Sequence, residues 1–190
     1  MSTPALVVAI VVAVLVVATA IVLMIRNQRS KRLRTRFGPE YGRAIEETGS
    51  KAQAEAKLEQ LERRVQRFDL RPLSPVARAN FVAAWQQVQA RFVDDPKGAL
   101  TEADRLIQEV MAARGYPVSD FDQRAANVSV NHPLIVEHYR AGHDIAVQHR
   151  KGRASTEDMR QAMIHYRALF AELADEPKLI RSKAARAGRA

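Results

Sequence analysis

PALVVAIVVAVLVVATAIVLMI, residues 4–25, runs for 22 positions without a charged side chain. A helix rises about 1.5 Å per residue, so the stretch covers roughly 33 Å, and a bilayer's hydrocarbon core is about 30 Å thick. Val is a weak helix former in water because branching at Cβ stiffens its side chain. In lipid that preference is overridden, since an unpaired backbone N–H or C=O has no water to bond and helix is the only local solution. The stretch predicts a transmembrane anchor over residues 4–25. A buried helix of a soluble protein fits less well, because neither a charge nor an amide interrupts the run.

Six basic residues follow within eleven positions: Arg26, Arg29, Lys31, Arg32, Arg34 and Arg36. Positive charge collects on the cytoplasmic side of a span, and Met1, Ser2 and Thr3 carry none. This asymmetry predicts a short N-terminus outside and the rest of the chain in the cytoplasm. Residues 26–37 then form a basic juxtamembrane segment whose six cations meet an anionic cytoplasmic leaflet. The alternative is an exported envelope protein cleaved after Ala20, because Ala18 and Ala20 supply a small-x-small pattern. Against it, the basic n-region of a signal peptide is missing, and cleavage would leave Ile21–Ile25 as an apolar end.

The net charge of +9 over 190 residues is unevenly spread. Residues 26–36 carry +6 and residues 178–189 carry +5, through Lys178, Arg181, Lys183, Arg186 and Arg189. The 37–177 stretch holds 19 basic and all 21 acidic residues, a net −2. The middle is a near-neutral domain between two basic flanks, the second being a low-complexity tail (178–190) expected to be disordered. There is no Cys, which removes disulfides, thiolate catalysis and a lipoprotein anchor.

Along the 38–177 stretch the punctuation and periodicity are helical. Gly38-Pro39 ends the first helix, and a short helix is expected over Tyr41–Glu47. Ala54, Leu58, Leu61, Val65 and Phe68 form a stripe at spacings of 4, 3, 4 and 3. Fewer than three heptads are present, so the stripe is read as a seam packed within the chain rather than an intermolecular coiled coil. Arg71-Pro72 is the expected stop. Ser74-Pro75 and Asp95-Pro96 each place a capping side chain before a proline at the first helical position. The first opens a helix with Phe81, Trp85, Val88 and Phe92 on one face. The second opens a helix to Arg114 carrying Leu100, Ala103, Leu106, Ile107, Val110 and Met111, with Gly115 as its C′ residue. Ser119 is the expected cap of a helix to Asn127, and His132-Pro133 the expected start of one to Arg150. Ser155 and Asp158 form a capping box for a last helix over 156–174, stopped by Pro177. No alternating strand pattern is present. The fold class expected is all-α: one transmembrane helix, then a soluble bundle of about five or six helices over 38–177.

Candidate chemistry is sparse. His132, His138, His143 and His149 are spaced 6, 5 and 6, whereas helical neighbours lie three or four apart. His138 and His149 share a face but stand about 16 Å apart along the axis. Only a site built from His138, His165 and a carboxylate of another helix has workable spacing. Asp94-Asp95 and Asp120/Asp122 have helix-start explanations, and the Gly and Glu of an EF-hand loop are missing. Neither GxGxxG, a phosphate loop, GxSxG nor HExxH occurs. No catalytic, cofactor-binding or metal residue is assigned, and no cofactor or small-molecule substrate. The basic tail lacks aromatics for stacking, so nucleic acid is not an expected partner.

The blocks FGPEYGR (37–43), WQQVQARFVDDPKGALTEADRLIQEVMAARGYP (85–117), SVNHPLIVEHYR (129–140) and STEDMRQAMIHYRALFAEL (155–173) resemble a bacterial family of N-terminally membrane-anchored helical proteins to which no activity is assigned. The resemblance implies an anchor and a helical domain and carries over no site. The expected function is that of a single-pass, membrane-anchored helical scaffold that holds a protein partner. The alternatives are the exported form cleaved after Ala20, or a metal-binding or enzymatic domain using the His-rich region 131–150.

Overall fold

A computed structural model describes residues 3–117 and 119–175. Its secondary structure is eight α-helices, with no strand among the described residues, so the class is all-α as expected. Seven helices follow the first, where the bundle was expected to hold about five or six; the short helices expected over Tyr41–Glu47 and up to Asn127 are both present, at 39–48 and 121–129. By contact the chain divides into two compact units, residues 1–59 and 60–190.

The first unit is dominated by α1 (Thr3–Phe37), 35 residues without a break. The helix carries the apolar stretch straight into the basic one, and at about 1.5 Å per residue it is roughly 52 Å long. From Val11 to Ile25 its large apolar side chains are 52–62% exposed. It is the one described helix long and apolar enough to cross a membrane. Gly38, at φ 51, lets the chain turn sharply, and Pro39 opens α2 (Pro39–Thr48) with the φ a first helical residue needs. α2 closes on left-handed Gly49, whose N–H donates to the Ile45 carbonyl at 2.8 Å. The chain then enters α3 (Lys51–Val65), within which the two units divide. Leu33, Phe37, Tyr41, Ala44, Ala54 and Leu58 are the buried apolar residues of this unit.

α3 is shorter than the sequence suggested. Its last regular residue is Val65, and the chain tightens through turns to Phe68 rather than running to Arg71. The stripe holds nonetheless: Ala54, Leu58, Leu61 and Val65 are buried within the single chain and Phe68 is partly buried.

In the second unit α4 (Pro75–Arg91) and α5 (Pro96–Ala113) start where Ser-Pro and Asp-Pro predict. Ser74 accepts from the Ala77 N–H at 3.1 Å, and Asp95 from the Gly98 N–H at 2.8 Å. α6 (Phe121–Ser129) is capped by Asp120, not Ser119; the Asp120 carboxylate accepts from the Gln123 N–H at 2.8 Å. α7 (Ile135–Arg150) begins two residues after Pro133, and the His132 carbonyl accepts from the N–H groups of Ile135 and Val136. α8 (Thr156–Asp175) has the capping box intact. The Ser155 hydroxyl accepts from the Asp158 N–H at 3.1 Å and the Asp158 carboxylate accepts from the Ser155 N–H at 2.8 Å. The proposed stop at Pro177 and the basic tail lie outside the described residues.

α8 is the hub, packing on α7 and α5 and touching α4. Its face of Met159, Ala162, Met163, Tyr166, Leu169, Phe170 and Leu173 is buried, and Phe170 stacks on Trp85 with ring centroids 4.9 Å apart. The α5 stripe is buried from Leu100 to Met111. Apolar burial at about 25 cal/mol per Å² supplies most of what holds such a bundle together.

Candidate functional site

The six cations named from sequence all lie on α1 beyond the apolar stretch. At 100° per residue they spread around the helix, so they form a collar rather than a stripe. Arg26, Lys31, Arg32 and Arg34 are exposed; Arg29 and Arg36 are half-buried. The opposite requirement falls on Leu33 and Phe37, both fully buried. Two of the six are drawn towards α3: Arg29 Nε lies 2.6 Å from Glu59 Oε1, and Arg32 Nη2 lies 3.8 Å from it.

Glu55 on α3 ties the unit together. Its Oε1 accepts from the Ser30 hydroxyl at 2.6 Å and from the Tyr41 hydroxyl at 2.8 Å. Burial works to raise this carboxyl's pKa, but the Ser30 and Tyr41 hydrogen bonds, with Lys51 and Arg29 nearby, outweigh it and leave Glu55 below the usual carboxylate value. Tyr41 is raised, first by burial and then by its bond to Glu55. Beside this group a cleft of about 350 Å³ opens between α1 and the start of α3, bounded by Leu23, Arg26, Asn27 and Ser30 on one wall and Lys51, Ala52 and Glu55 on the other.

The second unit keeps its polar chemistry between helices. Asp104 on α5 accepts from the Tyr166 hydroxyl of α8 at 2.8 Å and from Gln108 Nε2 at 3.0 Å. The His143 ring of α7 lies 4.0 Å from the same carboxylate and stacks on Phe121 with centroids 3.6 Å apart. Burial lowers His143, although Asp104 pulls the other way. Tyr166 is raised well beyond a free phenol, by burial first and by Asp104 second. Tyr139 is also raised by burial, with the Arg124 guanidinium, donating to its oxygen at 3.0 Å, opposing the shift.

The four histidines of the 131–150 region are dispersed. His132 Nδ1 faces Glu172 at 3.1 Å, His138 meets His165, His143 sits at Asp104, and His149 borders a surface cleft of about 490 Å³. That cleft also holds Arg91 and Arg105, already paired with Asp95 and Glu102 and with Glu109 respectively. His138 and His165 are the pair with workable spacing, and their Nδ1 atoms stand 2.9 Å apart. The ring centroids are 5.2 Å apart, the N···N distance plus one ring radius at each end. The two lone-pair axes therefore run along one line, the geometry of an N–H···N hydrogen bond. A chelated ion needs both lone pairs to converge on a point off that line. Among the described residues no three His, Asp or Glu side chains gather closely enough to hold a metal ion.

Sequence reasoning missed Asp104 and the Tyr139–Arg124 bond. Tyr166 was legible as a buried stripe residue, but its partner lies 62 positions away on another helix, and nothing local marks Asp104 apart from any exposed-face acid. No family model, no curated protein and no solved structure matches the chain.

Proposed function

We propose that this chain is a single-pass membrane protein whose helical domain holds a protein partner at the cytoplasmic face of a bacterial plasma membrane. The observation that carries the reading is α1: apolar side chains more than half exposed from Val11 to Ile25, continuing without a break into a helix ringed by cations. In water an exposed apolar surface of this size has no favourable place, whereas a bilayer supplies one. On this reading residues 4–25 are the anchor, 26–37 the juxtamembrane segment, 38–177 the helical domain and 178–190 a second basic contact with anionic lipid. Arg26, Arg29, Lys31 and Arg32 lie within about 11 Å of Ile25 along the axis, close to one Debye length, and act on the leaflet more strongly than Arg34 and Arg36.

A holding rather than catalytic role is supported by what the interior polar groups do. Asp104, Tyr166, His138, His165 and Arg114, whose guanidinium donates to the Leu173 carbonyl at 2.9 Å, each join one helix to another. Crosslinking in intact membranes, followed by purification of the full chain, tests the proposal. A recurrent protein crosslinked to residues 60–175 is the expected result. Recovery of the chain alone and monomeric at native abundance would sink it.

A further inference from the structure

The cleft at the start of α3 sits at a particular depth. On the anchored reading, on which this inference rests, the hydrocarbon boundary falls near Ile25. Arg26 and Asn27 stand in the first turn beyond it, and Leu23 within it. From Ile25 to Phe37 the chain climbs about 18 Å, yet Lys51, beyond α2, lines one cleft with Leu23 and Arg26. The Ser30–Glu55 bond of 2.6 Å fixes α3 beside that stretch of α1, so Lys51 returns to the level at which α1 leaves the lipid.

We propose that this cleft binds the phosphate headgroup of an anionic phospholipid. Two cations, Arg26 and Lys51, face it from different helices, with Asn27 as a further donor and Leu23 as an apolar floor. The one acid present, Glu55, is tied by Ser30 and Tyr41, with the Lys51 ammonium 4.0 Å from it. The cleft's net charge is then +1, which complements the single negative charge of a phosphodiester better than the near-double charge of free phosphate. Its volume of about 350 Å³ suits a headgroup. The apolar wall continues into the region where the glycerol and acyl chains begin.

The test uses the full chain in nanodiscs of phosphatidylcholine alone and of phosphatidylcholine with phosphatidylglycerol, read by native mass spectrometry. One phosphatidylglycerol is expected to stay with the wild-type chain. Each neutralised cation weakens retention about fivefold, so Arg26→Gln with Lys51→Gln weakens it on the order of 25-fold. Lys51→Arg keeps retention. Lys31→Gln, the same charge loss as either single variant but about 7.5 Å further along α1 and roughly 140° around it from Arg26, changes it less than twofold. A loss in Lys31→Gln equal to that in Arg26→Gln or Lys51→Gln alone overturns the site in favour of a diffuse surface effect. Displacement of the lipid by millimolar inorganic phosphate assigns the cleft to free phosphate and overturns the lipid assignment. Insertion into both discs without selective retention sinks the cleft alone; failure to insert even into phosphatidylcholine sinks the anchor and the cleft with it.

Discussion

At Gly115 two requirements coincide. Its φ of +89 lies where a side chain is strained, and a Cβ there would stand 2.2 Å from the Asp69 carbonyl oxygen. The 66–74 link presses on the end of α5 at this point, with the Arg71 N–H donating to the Arg114 carbonyl at 3.1 Å. Gly115→Ala is expected to cost more than about 2 kcal/mol, whereas Gly152→Ala, at φ +69 with open space around it, costs about 1 kcal/mol. Urea unfolding followed by Trp85, the only Trp, measures both; equal losses would remove the close approach from the account. Tyr166→Phe deletes a hydrogen bond to a carboxylate and should cost about 2 kcal/mol. It also changes the alkaline limb. The Tyr166 phenol is raised in the folded state, so its contribution is complete below the free value of 10.0 and is lost as pH climbs above it. Loss of stability above pH 10 should be shallower in Tyr166→Phe than in wild type. The role of Gly115 as a helix end was legible, because a C′ glycine is a local signal. The Asp69 contact was not, because it joins segments 46 positions apart.

Helix starts were the most readable elements, since a cap and its N–H partner lie within three residues. Ser74, Asp95 and the Ser155–Asp158 box are all found as read. The α6 cap moved by one residue because Ser119 and Asp120 are both good caps, and only the backbone decides which reaches the Gln123 N–H. Helix pairing was not readable, and there the α7–α8 contact carries the chemistry. Gly142 lets the Tyr166 ring come within 3.1 Å of where a Cβ would stand, and the His138–His165 bond lies on the same interface. One shared proton keeps that bond; a proton on both Nδ1 atoms breaks it and sets two cations together. His165 is lowered by burial first and His138 second, and His143 by burial against the pull of Asp104. Above the free value of 6.5 both folded and unfolded chains carry neutral rings, and below it the unfolded chain takes protons first. Thermal stability should therefore be full above pH 6.5 and fall on acidification towards pH 5. His165→Phe is expected to flatten part of that fall, leaving the His143 share. An unchanged slope in melting temperature against pH would show that the pair carries none of it.

At the scale of the molecule, one long apolar run and one block of cations make up most of α1, and both are contiguous in sequence. The division at residues 59 and 60 was not legible, because it falls inside a regular helix whose apolar stripe continues across it. The anchored reading makes a sharp demand of the charges. Orientation follows the Lys and Arg bias within about 15–20 residues of the span ends, so the bias and not the apolar sequence sets sidedness. Reversing it should reverse the protein. Ser2→Lys and Thr3→Lys combined with Arg26→Gln, Arg29→Gln, Lys31→Gln, Arg32→Gln, Arg34→Gln and Arg36→Gln moves the excess to the other end, two Lys before the span against Arg43 alone after it, while α1 keeps its length. The chain has no Cys, so Val93→Cys, at a side chain 82% exposed, gives a unique label site. With native charges an impermeant maleimide should reach it only after the cells are opened, and with exchanged charges it should label intact cells. Labelling of intact cells in the native-charge chain would place the domain on the opposite side. Unchanged labelling after the exchange would mean that a folded domain, rather than the collar, holds the orientation.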